Sequence, residues 1–234
     1  MDVFGKALLE YQLGKYTEDI ITYSSLEEED SMPLPYLFRS YDTMPSLEKK
    51  ALQLCYGSVL DIGCGSGSHA LYLQQQGLDV VGLDASPGAI EVCNLRGLHK
   101  TVLSEFLAYQ EATFDTLLLL MNGIGMAGTL KKLPEFLNHA KSLLKEEGQL
   151  LVDSSDIIYM FESDSDGGYW VPGDVDYYGE VQFRMAFKGE KGPVFDWIYV
   201  DFETLADAAK KVNLDCELIV AGEHYDYLAK LYVK

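Results

Sequence analysis

The chain has 234 residues, 48% of them hydrophobic, which suits one large α/β domain or a domain carrying an insertion. Its 18 basic and 37 acidic residues leave a net charge of −19. That field repels a phosphate backbone, and no run of Lys or Arg offsets it, so it argues against nucleic acid as a partner while allowing a nucleotide-sized ligand.

The start, MDVFGKALLEY, lacks the basic and long apolar stretches of a signal peptide. The longest aliphatic run, Leu117 to Met121, is too short to span a bilayer. A cytoplasmic protein without membrane contact is the expectation. Cys55, Cys64, Cys93 and Cys216 show no paired spacing, and His69, His99, His139 and His224 are scattered. Free thiols and no metal site follow.

In chain order, residues 1–45 hold LEEED and then SMPLPYLFRSYDTMP, ahead of any clear strand. Strand and helix alternate from residue 57. Residues 58–62 read as an apolar strand ending at a glycine loop, and 68–76 as a helix stopped by Gly77. A strand over 79–83 ends at Asp84; Ser86-Pro87 then opens a helix to about Arg96. Residues 101–103 form a weak strand and 114–121 a strong one. A helix from Leu130 or Leu133 to Lys145 precedes a strand over 148–153. Residues 157–200 break the rhythm and contain 11 of the 28 aromatics. Their end, 179–187 and 194–200, alternates at period two around Gly-Glu-Lys-Gly and reads as a β-hairpin. A helix over 202–212 and strands over 216–221 and 225–233 close the chain.

This alternation predicts an α/β fold with a mostly parallel sheet covered on both faces. Ligands in such sheets sit at the carboxyl ends of the strands, where Asp61, Asp84, Ser104, Asn122 and Asp153 fall.

The stretch DIGCGSGSH at 61–69 carries most of the chemistry. A dinucleotide fingerprint would place glycine or alanine where Ser68 stands, and no Gly-Lys-Ser/Thr follows, as a P-loop requires. Asp61, two residues before the first glycine, would repel a pyrophosphate and attract a cation. The plain alternative is that Asp61 and Asp84 only cap the following helices. For His69, an ordinary partly buried histidine is the first reading.

VLDIGCGSG at 59–67, VVGLDAS at 80–86 and FDTLLLLMN at 114–122 resemble three motifs of the class I S-adenosylmethionine (SAM)-dependent methyltransferases. The resemblance covers about 57–153 and continues through the last helix and strand pair; the flanks look like those of uncharacterised bacterial members. It implies a Rossmann-like three-layer sandwich, with a seven-stranded sheet whose last strand is antiparallel, plus the inserted hairpin. The whole chain would be one domain: arm or lid 1–45, SAM-binding core 46–156, aromatic insertion 157–200 and closing segment 201–234.

The implied cofactor is S-adenosylmethionine. Gly63, Cys64, Gly65, Ser66 and Gly67 would let it approach bare backbone, with Asp61 balancing its cationic part. Asp84 and Ala85 would hold the ribose, Ser104 and Glu105 the adenine. Met121, Asn122 and Gly123 would flank the methionine moiety. Tyr36 and Arg39 are expected to fold over the cofactor, Arg39 reaching its carboxylate; the alternative is a packed arm with a surface arginine.

The implied reaction is methyl transfer to a small-molecule acceptor by in-line displacement, which needs alignment more than a dedicated catalytic residue, and none is assigned. Met-Asn-Gly-Ile ends the 114–121 strand where enzymes methylating nucleic-acid bases carry Asn/Asp-Pro-Pro-aromatic. Tyr159, Tyr169, Trp170, Tyr177 and Tyr178 are candidate acceptor-pocket residues, or else hairpin residues packed on the sheet. Asp164, Asp166, Asp174 and Asp176 would favour a cationic acceptor, unless they simply form a solvated loop. The rival readings are a non-catalytic SAM-binding or assembly protein and a nicotinamide-dependent oxidoreductase. The open hairpin edge is compatible with dimerisation, but nothing in the chain indicates a symmetry.

Overall fold

The computed structural model describes residues 2–26, 28–164, 168–171, 173 and 175–233. In chain order these form α1 (Val3–Gln12), β1 (Ile20–Ser24), β2 (Glu29–Met32), α2 (Leu34–Leu37), α3 (Ser46–Leu54), β3 (Ser58–Ile62), α4 (Ser68–Gln75), β4 (Asp79–Asp84), α5 (Pro87–Leu95) and β5 (Thr101–Leu103). They continue with β6 (Phe114–Leu119), α6 (Leu133–Ser142), β7 (Leu144–Ser155), β8 (Glu180–Phe187), β9 (Glu190–Ile198), α7 (Phe202–Lys211), β10 (Asp215–Ala221) and β11 (Asp226–Tyr232).

Seven strands make the main sheet, in the order β10-β11-β7-β6-β3-β4-β5. Strands β3 to β7 are parallel, and β11 runs antiparallel to β7. The expected α/β class and antiparallel last strand are both present. Alternation along β6 shows why the strand is apolar throughout. Leu117 and Leu119 enter one core cluster, while Leu118 and Leu120 enter another on the opposite face. Each such leucine contributes about 1.5–3 kcal/mol by leaving water. Strand order reverses at β3, which has β4 on one side and β6 on the other, and this reversal opens a crevice at the strand ends.

Local signals act as expected at α5: Pro87 sits in the first turn, and the Ser86 hydroxyl oxygen accepts the Ala89 N–H at 3.0 Å. Two boundaries differ from expectation. Helix α6 ends at Ser142 and β7 already begins at Leu144, with a bulge against β6 and Glu147 at φ 61°. The hairpin turn is Lys188-Gly189, both at positive φ, two residues before the expected place. Paired positive φ values match the strands' twist in a two-residue loop.

The larger difference concerns the arm. Strands β1 and β2 join the hairpin in a second, four-stranded antiparallel sheet of order β2-β1-β8-β9. Their sequences, IITYS and EDSM, are too short to show strand periodicity, and EDSM is polar; the free edge of β8 supplies the partner that makes them strands. Helix α1 packs on α5 through Val3, Ala7, Leu8, Ala89 and Val92. Asp2 joins both helix starts. One of its oxygens accepts the Gly5 N–H, and the other accepts the Gly88 N–H and the Ser86 hydroxyl. The arm is thus anchored to the core by its helix and to the hairpin by its strands. Among the described residues no helix is long and apolar enough to cross a membrane.

Candidate active site

Strand β3 ends in Asp61-Ile62, and the chain then turns through Gly63, Gly65 and Gly67, all left-handed at φ 72°, 54° and 81°. Side chains other than glycine pay steric energy there. Five hydrogen bonds pin the loop. Gly63 and Cys64 donate their N–H groups to the Leu83 carbonyl at 2.8 and 3.0 Å. Gly65 donates to Asp84 Oδ2 at 2.9 Å. The Ser66 and Ser68 hydroxyls both donate to the Leu37 carbonyl. That last contact ties α2 to the loop and carries Tyr36 and Arg39 to the crevice.

A cavity of about 780 Å3 lies between this loop and the second sheet, large for a small-ligand site. Its walls include Asp61, Gly63, Cys64, Gly65, Ser66, Asp84, Met121, Asn122, Gly123, Tyr36 and Arg39. Gly67, Ala85, Ser104 and Glu105 lie outside those walls. Ser104 stands beside β4, its N–H donating to the Asp84 carbonyl at 3.0 Å, while Ala85 and Glu105 are exposed.

The floor of the cavity is strongly charged. Asp61 is 2% exposed, and its Oδ2 is the one buried side-chain nitrogen or oxygen among the described residues without a hydrogen-bond partner. Burial pushes its carboxyl up to about 6, against the opposing effect of His69. Asp84 accepts the Ser86 N–H at 2.8 Å on its other oxygen; burial raises its carboxyl too, opposed by the Ser86 and Gly65 amides.

Arg39 is buried and gripped by Glu48, with Nη2 2.5 Å from Oε1 and Nε 3.2 Å from Oε2. Its Nη1 donates to the Tyr36 carbonyl at 2.6 Å, and its guanidinium stacks 4.0 Å from the Tyr36 ring centroid. His69 Nε2 lies 2.9 Å from Glu48 Oε2. Burial alone would raise the Glu48 carboxyl, but the hydrogen bonds with His69 and Arg39 hold it below its ordinary value. Arg39 is therefore no surface arginine, and Glu48, which sequence reasoning missed, is what fixes it.

Beyond β6 the chain takes two consecutive left-handed residues, Met121 at φ 62° and Asn122 at φ 56°. Asp153, at the end of β7, accepts both of their N–H groups, at 3.1 and 2.8 Å. Burial pushes its carboxyl up to about 7, with Asn122's amide opposing. The Asn122 amide donates to the Ile198 carbonyl at 3.2 Å and accepts the Ser154 hydroxyl at 2.7 Å, coupling β6 to β9.

Cys64 faces Cys93, Sγ to Sγ 3.7 Å; that neighbour and burial push its thiol well above its ordinary value. It is a small residue of the loop, not a nucleophile.

The roof is the inner face of the second sheet. Thr22, Ser24, Asp30, Phe183, Met185, Phe195 and Trp197 all reach the cavity. The acceptor-pocket expectation needs correction here. Tyr159 does line the cavity, whereas Tyr169 and the 72%-exposed Trp170 stand outside it. Tyr177 and Tyr178 donate their hydroxyls to Asp201 at 2.6 Å and Asp156 at 2.8 Å, on the closing side. Asp164 accepts the Gly168 N–H within its own loop and, like Asp176, is no part of the wall. Asp166 and Asp174 lie outside the described residues. The period-two alternation of the hairpin was the signal for Phe183, Met185 and Phe195; their partners on β1 and β2 left none.

These residues fit a bound SAM. Asp61, one of whose buried carboxylate oxygens has no hydrogen-bond partner, lines the cavity, and the glycine loop exposes backbone beside it. The model of the methyltransferase-domain family matches residues 15–216. A solved structure of a SAM-dependent methyltransferase from Bacteroides fragilis, in complex with S-adenosyl-L-homocysteine, is 42% identical. It superposes with a TM-score of 0.92 over 99% of this chain and 94% of that one. DesVI from Streptomyces venezuelae, 18% identical over 86% of this chain and 96% of its own, shares the fold with a TM-score of 0.61. The ubiquinone biosynthesis O-methyltransferase of Xylella fastidiosa is 30% identical over 45% of this chain and 44% of its own length. The chain spans half or less of the length of the curated relatives it matches. With its Rossmann-like sheet and its glycine loop at the switch point, this chain belongs to the SAM-dependent methyltransferases.

Proposed function

We propose that the chain transfers a methyl group from SAM to a small-molecule acceptor seated between the glycine loop and the second sheet. One observation carries this reading. A single cavity has Asp61, with its orphaned carboxylate oxygen, in its floor and the apolar inner face of β8 and β9 as its roof. Bound there, SAM supplies a methyl group on a positively charged sulfur. Asp61 offers its free oxygen to the cationic methionine end. Asp84 presents its remaining lone pairs to the ribose hydroxyls. Arg39, oriented by Glu48, offers its remaining N–H groups to the cofactor carboxylate. Asp153 holds the Met121–Asn122 turn against which the methionine moiety lies. Ala85 stands beside Asp84 at the ribose, and Ser104 and Glu105 stand at the adenine end of the same sheet edge.

The second sheet aligns the acceptor behind the methyl and excludes water. Alignment of this kind contributes about 7–11 kcal/mol, so no dedicated base is required. The charge of −19 supports a small acceptor over nucleic acid. The free thiols Cys55, Cys64, Cys93 and Cys216 suit the cytoplasm, where we place the protein.

Calorimetry with SAM, S-adenosylhomocysteine and NAD tests the cofactor reading: the first two bind and NAD does not. Transfer of labelled methyl to members of a small-molecule panel tests the activity. Tight cofactor binding with no turnover on any acceptor would instead mark a binding or assembly protein.

A further inference from the structure

The two halves of the second sheet's inner face differ in character. Residues paired directly across antiparallel strands point to the same face. Asp30 pairs with Thr22, which pairs with Met185. Glu28 neighbours Ser24 through the Ser24 N–H and the Glu28 carbonyl, and Ser24 pairs with Phe183, which pairs with Phe195. Glu28, Asp30, Phe183 and Phe195 all line the cavity, as does Trp197. One half of the roof is therefore acidic and hydroxylated, the other aromatic. Two strand spacings separate them, about 10 Å.

The cavity has little to offer an anion. Among the described lining residues the basic ones are Arg39 and His69. Arg39 is engaged by Glu48 and the Tyr36 carbonyl, and His69 by Glu48. Whatever donors Arg39 has left are committed, in the functional reading, to the cofactor's carboxylate.

We propose that the acceptor is an amine on a flat apolar body, its ammonium held by Glu28 and Asp30 and its body laid against Phe183, Phe195 and Trp197. The proposal rests on the methyltransferase reading and deepens it. A charged donor to a carboxylate forms the stronger kind of hydrogen bond, and aromatic faces attract alkylammonium groups. Glu28's charge also reaches the Tyr199 hydroxyl in the same cavity: burial first, then Tyr159 and Glu28, raise that phenol.

The chemistry balances. The bound ammonium gives a proton to a carboxylate or to water. The neutral nitrogen's lone pair then forms the N–C bond to the methyl as the C–S bond breaks, its electron pair staying on sulfur. The product remains a cation, suited to the same walls.

The test uses the whole chain saturated with S-adenosylhomocysteine and three probes that share a phenyl ring: phenyltrimethylammonium, its uncharged isostere tert-butylbenzene, and the anion benzoate. Calorimetry should give the ammonium at least tenfold tighter binding than tert-butylbenzene, and no binding of benzoate. The double variant Glu28→Gln, Asp30→Asn should weaken the ammonium at least tenfold and leave S-adenosylhomocysteine affinity unchanged. Both residues are exposed at the mouth, so the variant folds. Benzoate or tert-butylbenzene binding as well as the ammonium, or an unchanged double variant, overturns the amine assignment while the methyltransferase reading stands. A wild-type chain that fails to bind S-adenosylhomocysteine removes the functional reading and the amine with it.

Discussion

Trp197 lies so close over Gly125 that a Cβ on Gly125 would come within 2.1 Å of its indole. Gly125 belongs to the turn Gly123–Ala127 just after β6, and Trp197 comes from β9. The cofactor edge of the main sheet and the roof of the acceptor chamber thus meet at a contact that only glycine allows. The indole is a rigid ring and cannot fold aside as a flexible chain would.

Gly125→Ala is expected to cost about 1–3 kcal/mol, the usual penalty of overpacking. Denaturant melts measure this. The displaced indole also reshapes the roof, so acceptor KM rises while SAM affinity holds. Adding Trp197→Phe, which shrinks the ring, should recover part of the stability.

Asp61 and Asp153 make the stability of the unliganded protein fall as pH rises. Their carboxyls are raised from 3.8 to about 6 and about 7, so the native state holds protons that the unfolded chain has lost. The stability they lend is full below about pH 4 and is lost as pH climbs through 6 and 7, on the order of 3–4 kcal/mol each. Urea midpoints at pH 5 and 7.5 report it, and Asp61→Asn should flatten the trend. SAM affinity runs the other way. An ionised Asp61 attracts the cation, so binding tightens as pH rises through about 6 in the wild type and stays flat in Asp61→Asn.

The Asp153 carboxylate accepts both N–H groups of a left-handed pair, the exposed Met121 and the half-buried Asn122. Asp153→Ala removes both charge-assisted hydrogen bonds and should lose about 1–3 kcal/mol. Asp153→Asn keeps one acceptor and should lose less. A difference between the two variants in thermal melting checks the assignment; equal losses would point to packing instead.

Arg39 and Glu48 form a buried ion pair, so Glu48→Ala should cost about 3–5 kcal/mol by stranding the guanidinium. Arg39→Lys keeps the charge and loses the two-pronged fit. If Arg39 also binds the cofactor carboxylate, Arg39→Lys weakens SAM at least tenfold in protein shown to be folded by circular dichroism. An unchanged SAM affinity would leave Arg39 with a structural role alone.

Much of the core could be read directly from the chain. The apolar run from Phe114 to Met121 called for a strand buried on both faces, and β6 is one, ending two residues earlier at Leu119. Glycines at 63, 65 and 67 called for a loop of bare backbone, and the structure makes all three left-handed. Asp61 and Asp84 were placed at strand ends, and both reach the cavity. Such features depend on residues near one another in sequence, where period and spacing speak for themselves.

The acceptor side could not be read that way. Strands β1 and β2 exist because β8 offers them an edge about 160 residues away in the chain; Ser24 pairs with Phe183. The aromatics expected to line the pocket were chosen by their density around 159–178, yet Tyr177 and Tyr178 turn to Asp201 and Asp156 instead. Which side of a strand meets the cavity depends on register, and one residue of slip exchanges the faces.

Sequence alone therefore determined the cofactor side: the sheet, the glycine loop and the acids that precede and follow it, because local spacing dictates their backbone. Tertiary structure decided the rest. It buried Arg39 against Glu48, left Asp61 without a partner, and joined the arm to the hairpin as one roof. Those outcomes depend on pairing between distant segments, whose hydrogen-bond partners and burial exist only once the chain has folded.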